Sequence, residues 1–590
     1  MSRVADLKAA TGLSDVARLL DLKPAMLSFH LYQKPKSTWY TEFEVPKRHG
    51  GARKISAPEK TLKLIQHRLS DLLQDCVEEL NVAAGSIENA KHLGISHGFK
   101  RGRSIISNAR PHVARRYVFN VDVHDFFGSI NFGRVRNFFI KNRSFALNEG
   151  VATVLAQIAC HDNKLPQGSP CSPVISNLIG HIMDIYLVRL AAATGCTYSR
   201  YADDLTFSSN KRSFPARVAS KSDDDEHRWV AGTGLARLLG KSRFSLNEQK
   251  TRMQYRDSRQ EVTGLTVNKK INVPAEYRYK VRAMVHKLFT TGEFTVDHKK
   301  RDQFGVPVLV SSTAGKPRQL MGMLSYIHQV DTFNNDLCEE NDREPVEARG
   351  RLTQFRRFIY FDAFYAPTSP VILCEGKTDN VYLKCAIKSL ALTFPLLASA
   401  EQTPKLKVRL FKYGDRPTSK ITAITGGVGG LCNMMKNYQS DLVKFKGPAP
   451  KHPVILLIDN DAGAHSVYGA VVGIASIKKP SGAEPFIHVF GNLYVVPTPL
   501  GNGGTQTSIE DFFDQSTLDT LLDGKKFDPT KEKDNTTHYG KAAFARDVVA
   551  AKADTTNFKG FVPILDRVND VLVHYAAYVG AAAPVEGRWP

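Results

Sequence analysis

The 590-residue chain lacks several features that would place it quickly in a class of protein. Its eight cysteines include no CxxC pair, which argues against a zinc site or a disulfide framework and predicts a reducing cytoplasm. No run of about 18 uncharged apolar residues occurs, so no membrane span is expected. The N-terminus MSRVADLKAATGLSD has no apolar core of the signal-peptide type. Internal repeats and long low-complexity tracts are also lacking, and the length predicts about two to four domains.

Negative charge is also in short supply. Lysine and arginine number 80 against 58 aspartates and glutamates, which gives a net charge of +22 and a pI near 9.5. The excess is uneven, with +18 in residues 1–370 and +4 in residues 371–590. This balance predicts a polyanionic partner, most simply nucleic acid, bound mainly by the first part of the chain. Solubility is the simpler explanation of excess lysine, but it does not account for the asymmetry.

The hydrophobic patterns divide the chain into two regions. Helical periodicity is clear over 61–80, where leucine and isoleucine side chains share one face. The segment YAPTSP at 365–370 is the best candidate for a linker. After it, apolar strands alternate with helices in VILCEG, VYLKCAIKSL, VILLIDND and NLYVVP. This alternation predicts a small α/β domain with a parallel sheet.

Three aspartates stand at the ends of predicted strands in the first region. YVFNVDVHDFFGSIN at 117–131 is typical of a strand leading to Asp122, and RYADDLTFS is typical of a hairpin with Asp203 and Asp204 in its turn. Carboxylates converging from adjacent strands would repel one another unless divalent metal neutralised them, and Mg²⁺ is the natural choice. Two such ions could activate a 3′-hydroxyl and stabilise a pyrophosphate leaving group. A DD pair taken alone is more simply a turn.

The order of several motifs resembles that of the reverse transcriptases of bacterial retrons. The matching blocks, within roughly residues 25–350, are ARKISAPEKTLKLIQ, HGFKRGRSI, the Asp122 block, LPQGSPCSPVISN, YADD and FSLNEQKT. NARPH at 108–112 matches the NAxxH element of retron enzymes, and VTGLTVN at 262–268 matches their VTG element. The resemblance implies a right-hand polymerase, with fingers and palm over 1–268 and a thumb and RNA-binding region over 269–364.

This resemblance also implies roles in binding the nucleotide. Gln167 and Gly168 would lie beside the template and nucleotide, where glycine allows a close backbone approach. Phe127 stands where the family places a bulky ring against the sugar 2′ position to exclude ribonucleotides, although an ordinary core aromatic is the alternative. Arg53 and Lys54 are candidate triphosphate contacts from the fingers.

Lys250 resembles the family lysine near the end of the palm, which could donate a proton to pyrophosphate. A phosphate contact or a merely solvated role stays open for Lys250, and Arg53 and Lys54 could likewise be simple surface charges.

RNA recognition is implied for the two retron elements and for the basic stretch KKINVPAEYRYKVRAMVHKLF that follows them. In this stretch the charges would bind phosphates, while the rings could stack on unpaired bases. The helical spacing of Tyr277, Val281 and Met284 could equally be core packing of a thumb helix. The residues expected to bind RNA are Asn108, His112, Val262, Thr263, Gly264, Lys269, Lys270 and Arg278.

A second set of acidic residues resembles a different family. VILCEGKTDNVYL at 371–383 is similar to the opening strand of a TOPRIM domain, and VILLIDNDAGA supplies a DxD element. The later pattern resembles TOPRIM nucleases of the overcoming-lysogenisation-defect type, which implies that residues 371–590 form a Rossmann-like effector domain holding Mg²⁺ or Mn²⁺. Helix caps and turns are the simpler explanation of these acids. The residues implied are Glu375, Asp459 and Asp461, then Glu510 or Asp511, and the cation Lys541.

Together the resemblances imply a multidomain α+β and α/β protein in which a reverse transcriptase precedes a TOPRIM nuclease. Such an enzyme would use dNTPs to copy part of a cognate noncoding RNA, beginning from an internal guanosine 2′-hydroxyl, and would retain the branched RNA–DNA product (msDNA). The fused domain would be a toxic component in antiphage defence within the bacterial cytoplasm. A polymerase with a TOPRIM primase or primer-processing module, a non-catalytic RNA-binding scaffold and a homo-oligomer all stay open.

Overall fold

The computed structural model describes most of the chain, namely residues 2–46, 52–85, 95–222, 225, 227–301, 307–339, 349–413, 418–530 and 537–581. These residues divide into two compact units. The first unit takes in the described residues of 1–278, 298–311 and 329–345, and the second those of 279–297, 312–328 and 346–590. The contacts therefore divide the chain differently from the predicted segments 1–268, 269–364 and 371–590.

The regular elements follow the predicted patterns closely where the motifs lie. The α-helices are α1 (Arg3–Ala9), α2 (Leu13–Leu19), α3 (Pro24–Ser28), α4 (Lys60–Gly85), α5 (Ile105–Ala109), α6 (Phe132–Lys141), α7 (Glu149–Ala159), α8 (Ser172–Thr194), α9 (Thr233–Lys241), α10 (Ala275–Thr291), α11 (Pro317–Glu339), α12 (Arg349–Tyr360), α13 (Asp379–Ser389), α14 (Thr418–Thr422), α15 (Gly427–Leu442), α16 (Ala464–Ala475), α17 (Gln515–Leu518), α18 (Lys541–Ala543) and α19 (Val562–Ala581).

The strands are β1 (Tyr40–Pro46), β2 (Ala52–Pro58), β3 (Tyr117–Val123), β4 (Thr197–Tyr201), β5 (Asp204–Ser209), β6 (Ala219–Lys221), β7 (Trp229–Ala231), β8 (Leu246–Tyr255), β9 (Glu261–Val262), β10 (Leu265–Thr266), β11 (Thr295–Arg301), β12 (Pro307–Ala314), β13 (Val371–Cys374), β14 (Arg409–Leu410), β15 (Val454–Ile458), β16 (Ile487–Phe490), β17 (Leu493–Pro497), β18 (Lys526–Phe527) and β19 (His538–Tyr539). The helix predicted over 61–80 is confirmed as α4, whose apolar face enters the main core of the first unit.

Four strands of the first unit form an antiparallel sheet in the order β4-β5-β3-β8. β4 and β5 make the predicted hairpin, with Tyr201 opposite Asp204. β3 lies between β5 and β8, so that Asp122 stands opposite Asp204 on one side and Asn247 on the other. Phe119 of β3 is among the fully buried side chains beneath the sheet. The convergence of carboxylates from adjacent strands is therefore confirmed.

Helix α8 packs in the core of the first unit. Among the described residues it is the one helix long and apolar enough to cross a membrane by length and composition. Its Asp184 is fully buried and pairs with the equally buried Arg200 of β4, with 2.8 Å between Oδ2 and Nη2. Burial in the core accounts for the apolar composition of the helix. The ion pair with Arg200 neutralises the buried charge of Asp184.

The second unit contains a five-stranded sheet in the order β14-β13-β15-β17-β16. β14, β13, β15 and β17 are parallel, and β16 runs antiparallel at one edge. Every residue of β13 and β15 is buried, as expected for parallel strands covered on both faces. The predicted α/β pattern is confirmed. Because Cys374 pairs with Leu457, the carboxyl ends of β13 and β15 meet at one edge of the sheet.

The YAPTSP segment, predicted to be a linker, lies inside the second unit. Tyr365 is 2% exposed, and its hydroxyl donates to the carbonyl oxygen of Gly447 at 3.0 Å. Its ring packs against Phe445, with 5.0 Å between ring centroids. These contacts make the start of the segment a packed part of the unit rather than an exposed connection.

Candidate active sites

The three aspartates of the palm sheet lie together at its edge. Asp122 ends β3, and the backbone N–H of Val123 donates to the carbonyl oxygen of Asp203 at 3.0 Å, which ties the β4–β5 turn to β3. Burial, followed by repulsion from Asp122, raises the pKa of Asp203. Asp204 reaches solvent, yet desolvation by surrounding protein and repulsion from Asp203 and Asp122 raise its pKa to about 7. Simultaneous ionisation of Asp203 and Asp204 at this edge is therefore unfavourable.

Strand β8 supplies two partners for the first of these carboxylates. Lys250 Nζ lies 2.8 Å from Asp122 Oδ2, and Asn247 Nδ2 donates to Oδ1 of the same side chain at 3.4 Å. The Asp122 side chain is 8% exposed, whereas that of Lys250 is 55% exposed. Lys250 thus acts in this structure as the counter-ion of Asp122. The sequence reasoning missed Asn247, although it stands three residues before Lys250 in the FSLNEQKT block.

The carboxylates of the palm edge suit a hard divalent cation in type and charge. Oxygen donors are what Mg²⁺ prefers. The pKa values of Asp203 and Asp204 are raised first by burial and then by repulsion from the neighbouring carboxylates, and a cation would relieve the repulsion. In the described part of the chain, no three His, Cys, Asp or Glu side chains form a group that could hold a metal ion as they stand. Coordination of a metal ion by the palm carboxylates therefore requires their side chains to rearrange. Lys250 is exposed and can move away from Asp122 to permit this.

The two basic residues predicted in the fingers have different surroundings. Arg53 and Lys54 are both exposed on β2 of the β1–β2 hairpin. Lys54 Nζ lies 2.6 Å from Glu42 Oε2 on β1, so its charge is paired across the hairpin. The guanidinium of Arg53 lowers the pKa of Asp203 in part, although burial outweighs it. Arg53 is therefore electrostatically coupled to the acidic edge, while Lys54 pairs within the hairpin.

The backbone of Gly168 lies close to strand β2 of the protein itself. Its φ of +124° is accessible mainly to glycine, and a Cβ there would lie 2.5 Å from the carbonyl oxygen of Ser56. The N–H of Ser56 donates to the carbonyl oxygen of the half-buried Gln167 at 2.7 Å. Packing on β2 therefore requires glycine at this position, and the expected contact of Gly168 with the template stays a prediction.

The ring of Phe127 is half-buried between two other aromatic rings. Its centroid lies 5.7 Å from that of Phe126, which is 2% exposed, and 6.1 Å from that of Phe99, which is 42% exposed. The ring is therefore neither a fully buried core residue nor a free surface residue. A position near the acidic edge, five residues after Asp122, is compatible with the sugar contact expected for it.

The NAxxH element is buried, which corrects its predicted role as a direct RNA contact. Asn108 and His112 are both 0% exposed. His112 hydrogen-bonds with the hydroxyls of Ser208 on β5 at 2.7 Å and Ser199 on β4 at 2.8 Å, and Ser199 donates to Asn108 Oδ1 at 2.8 Å. Burial lowers the pKa of His112 to about 3, so the ring is neutral. These residues brace the hairpin that carries Asp203.

The VTG element packs against the NAxxH element. Val262 is fully buried, and the Thr263 hydroxyl donates to the carbonyl oxygen of Ile105 in α5 at 3.1 Å. Thr263 and Gly264 have φ values of +48° and +79°, so the turn depends on the left-handed region. Gly264 is exposed, and it is the part of this element accessible to RNA.

The basic stretch after VTG separates into exposed charges and buried apolar residues. Lys269 and Lys270 are exposed, and Arg278 is half-buried. Val281 and Met284 of α10 are buried, so the alternative of core packing holds for them. Lys269 and Lys270 are accessible to phosphates, as are the exposed Lys280, Arg282 and Lys287 of the same stretch.

A second acidic edge lies at the carboxyl ends of β13 and β15. Glu375 follows β13, Asp459 follows β15, and the backbone N–H of Ile509 donates to Asp459 Oδ1 at 2.9 Å. Lys541 Nζ lies 3.0 Å from Glu510 Oε1, and the Glu510 side chain is 3% exposed. The structure thus brings the predicted residues Glu375, Asp459, Glu510 and Lys541 to one part of the second unit.

Mutual repulsion is strong at this second edge. Burial, followed by Asp379, Glu510 and Glu375, raises the pKa of Asp459 to about 8. Burial and repulsion from Asp461 raise the pKa of Glu375, whose buried Oε2 has no hydrogen-bond partner. Burial works to lower the pKa of Lys541, but attraction to the carboxylates outweighs it and raises that pKa. The orphaned oxygen of Glu375 suits a divalent cation by donor type, but, as at the palm, no three of the described acidic side chains are placed to hold one as they stand.

Asp379 is a member of this cluster that sequence reasoning missed. It begins α13, is 6% exposed, and accepts a hydrogen bond from the N–H of Gly376 at 2.6 Å through Oδ2. Burial raises its pKa, while attraction to Lys541 works in the opposite direction. Its position four residues after Glu375, in the quoted EGKTD, was the available signal.

The structure also separates Glu510 from its predicted alternative, Asp511. Asp511 accepts hydrogen bonds from the backbone N–H of Ser508 at 2.7 Å and from its hydroxyl at 3.1 Å, which is a capping box. Asp461 is exposed, and its Oδ1 accepts from the N–H of Gly463 at 2.7 Å. Capping therefore explains Asp511 fully and Asp461 in part, as the simpler interpretation of these acids predicted.

The glycine-rich segment ITGGVGG supports the strand that carries Glu375. Gly426 and Gly427 have φ values of +86° and +71°, and the N–H of Gly427 donates to the carbonyl oxygen of Glu375 at 2.9 Å. Helix α15 then begins directly. The segment is thus a turn before a helix, and it fixes the backbone at the acidic edge.

The antiparallel sheet with clustered aspartates defines the palm of a template-directed polymerase, and comparison with known proteins identifies its family. Residues 45–268 match the family described as "Reverse transcriptase (RNA-dependent DNA polymerase)". The retron Mx65 reverse transcriptase of Myxococcus xanthus is 35% identical over 294 residues, covering 46% of this chain and 62% of that protein. The retron Mx162 reverse transcriptase of the same organism is 30% identical over 350 residues, covering 55% and 64%.

A third relative is matched over a larger share of its length. The retron Ec86 reverse transcriptase of Escherichia coli is 30% identical over 247 residues, covering 42% of this chain and 68% of that protein. The chain therefore belongs to the retron reverse transcriptase family. It spans less than two thirds of the two Myxococcus relatives.

Proposed function

We propose that this chain is an RNA-directed DNA polymerase that uses dNTPs to copy part of a cognate noncoding RNA into a branched RNA–DNA product, msDNA. The observation that carries the proposal is the register of the palm, which sets Asp122 opposite Asp204 and hydrogen-bonds the backbone of the next residue to Asp203. Family membership supports the same reaction, and the positive charge of the first part of the chain supports an RNA partner.

Each palm residue has a distinct part in this proposal. Asp122, Asp203 and Asp204 would hold Mg²⁺, which supplies charge to activate the primer hydroxyl and to stabilise pyrophosphate. Lys250 neutralises Asp122 while the carboxylates are free of metal, since its ammonium lies 2.8 Å away. Arg53 adds positive charge near Asp203, where a triphosphate would bind. Phe127 would contact the sugar and exclude a 2′-hydroxyl.

The experiment that tests this proposal is sequencing of the nucleic acid that copurifies with the protein. We expect one RNA species joined to DNA copied from it. A primed RNA template of random sequence with Mg²⁺ and dNTPs separates the enzyme from a non-catalytic scaffold, because a scaffold would extend nothing. Omission of the primer tests a primase module. Copurified RNA without DNA, together with no primer extension, would contradict the proposal.

We also propose that the second unit contains a metal-dependent nuclease of the TOPRIM type, acting as the effector in antiphage defence. Its support is the acidic cluster in which Asp379 and Glu510 are buried and Glu375 and Asp459 are half-buried, beside Lys541 and with an orphaned oxygen on Glu375. Mg²⁺ or Mn²⁺ there would polarise a scissile phosphate. Lys541 would stabilise negative charge that develops on the phosphate. The bound RNA–DNA would restrain this activity until infection.

Growth of the host tests the nuclease proposal. Expression of the complex while its DNA is degraded should be toxic, and Glu375→Ala or Asp459→Ala should relieve the toxicity. The matched control is Asp511→Ala, because Asp511 caps a helical turn and is not a proposed metal ligand. This control should remain toxic. Equal toxicity of all three variants would contradict a nuclease at this edge.

A further inference from the structure

Phe99 has a backbone conformation that is rare for a large side chain. Its φ is +56°, in the left-handed region, where a bulky residue is strained. Its ring is nevertheless 42% exposed, so burial in a core does not explain why phenylalanine occupies this position. Strain at an exposed aromatic residue points to a role in the function of the site.

Contacts with the catalytic hairpin hold Phe99 in this conformation. A Cβ on the preceding Gly98 would lie 2.6 Å from the backbone nitrogen of Ala202, so the chain passes directly against the YADD turn. Asn177 Nδ2 donates to the carbonyl oxygen of Gly98, and the N–H of His97 donates to the carbonyl oxygen of Arg200 at 2.8 Å. The backbone before Phe99 is thus fixed to the hairpin that carries Asp203.

The Phe99 ring packs on the one residue expected to contact the sugar. Its centroid lies 6.1 Å from that of Phe127, with 55° between the ring planes. Phe126 contacts Phe127 from the core, with centroids 5.7 Å apart. Phe126 is buried and Phe99 is exposed, so Phe127 has one ring partner in the core and one at the surface.

We propose that Phe99 is a specificity-determining residue, which holds the ring of Phe127 in place and thereby sets the discrimination between deoxyribonucleotides and ribonucleotides. A steric barrier excludes a 2′-hydroxyl only if it cannot rotate away. Without Phe99, Phe127 loses its ring partner at the surface, and its ring gains rotamers that leave room for the hydroxyl. The inference rests on the proposed polymerase function and on the sugar contact of Phe127.

The test is the ratio of kcat/KM for a dNTP and the matching ribonucleotide on a primed RNA template. Phe99→Gly removes the ring and also relieves the left-handed strain, so the variant should fold at least as well as the native protein. We expect it to lower discrimination by about 2- to 10-fold, as the strength of aromatic pairs suggests. Phe99→Tyr should keep native discrimination.

Arg243→Gly is the matched control, because Arg243 is also exposed and also has a φ of +56°. It should change folding stability in the same direction as Phe99→Gly and leave discrimination unchanged.

A double-mutant cycle separates failure of this inference from failure of the assignment on which it rests. Phe127→Ala should relax discrimination by more than Phe99→Gly does. In the Phe127→Ala background, Phe99→Gly should change discrimination no further, because the two residues act through one contact. Native discrimination in Phe99→Gly with relaxed discrimination in Phe127→Ala would overturn the inference alone. Native discrimination in Phe127→Ala would overturn the sugar contact and, with it, the inference.

Discussion

The two acidic edges of this protein reach similar electrostatics through opposite sheet topologies. In the palm, antiparallel register sets Asp122 opposite Asp204 across neighbouring strands. In the second unit, Glu375 and Asp459 meet because two parallel strands end at the same edge. Both edges combine carboxylates of raised pKa with one lysine. Crowded carboxylates at strand ends are therefore a property of the site and not of one fold.

The lysines at the two acidic edges differ in the exposure of their side chains. Lys250 is 55% exposed and pairs with Asp122, whose side chain is 8% exposed. Lys541 is 36% exposed and pairs with Glu510, whose side chain is 3% exposed. In each pair, loss of the lysine leaves a largely buried carboxylate without its counter-ion, which is more costly than breaking an exposed pair. Lys250 is the more exposed of the two lysines, so we infer that it leaves its partner more readily than Lys541 does when a metal or phosphate arrives.

The largest expected effect is a loss of polymerisation that distinguishes the palm from the second acidic edge. Asp203→Asn keeps the shape of the turn but removes a charged metal ligand, so we expect polymerisation to fall by about 10³-fold or more. Asp459→Asn makes the same chemical change at the second edge and should leave polymerisation unchanged. Primer extension on RNA measures both variants. Loss of polymerisation in both would show that the two edges are not independent, and normal DNA synthesis by Asp203→Asn would contradict the palm assignment.

The next effect compares the two lysines. Lys541→Ala should lower nuclease activity by about 10²-fold or more, because it removes positive charge beside the phosphate and orphans Glu510. Lys250→Ala should lower polymerisation by less than about 10-fold, because a metal ion bound by Asp122 would replace the charge of this 55% exposed lysine. Steady-state rates measure both. A loss of about 10² or more in Lys250→Ala would instead support the proton-donor role considered for this residue.

The charge asymmetry between the two parts of the chain predicts a smaller effect on RNA binding. Lys269→Ala with Lys270→Ala should reduce the slope of log K against log salt by about 1.4 to 1.8, since each lost phosphate contact contributes about 0.7 to 0.9. The matched control is Lys478→Ala with Lys479→Ala, an adjacent exposed pair in the second unit. Binding titrations at several salt concentrations measure the slopes. Equal slopes for both pairs would contradict a concentrated RNA surface after VTG.

The smallest effect concerns the pH dependence of stability at the second edge. The pKa of Asp459 is about 8, above its ordinary value of 3.8, so the folded state without metal holds this proton more tightly than the unfolded state. Its contribution to stability is therefore full below about pH 4 and is lost as the pH rises towards 8. With a chelator present, the Tm of Asp459→Asn minus that of the native protein should increase by about 2–4 °C from pH 6 to pH 8.5.

Thermal unfolding at the two pH values checks this prediction. Added Mg²⁺ should raise the Tm of the native protein at pH 8.5 and raise that of Asp459→Asn less, because the variant has lost a ligand. Asp511→Asn serves as the control and should show no such pH-dependent gain. An unchanged difference between native protein and Asp459→Asn across this pH range would contradict the raised pKa.

Local pattern was enough to predict the strands and their terminal acids. Apolar residues mark β3 and β5, continuous apolar runs mark β13 and β15, and the carboxylates stand at or next to the strand ends. Asp122, Asp203 and Asp204 were identified this way, as were Glu375 and Asp459. These predictions hold because a buried strand needs a run or an alternation of apolar residues. The residue at which that pattern stops is visible in the sequence.

The tertiary structure alone decided which polar residues are partners. His112 hydrogen-bonds with Ser208, 96 residues away, so a motif expected at an RNA surface is a buried brace. Glu510 and Asp511 are neighbours in the sequence, yet only Glu510 meets Lys541. Asp379 joins the acidic cluster through the packing of α13. A buried polar group must find its partner in space, and that partner depends on how distant segments pack rather than on local sequence.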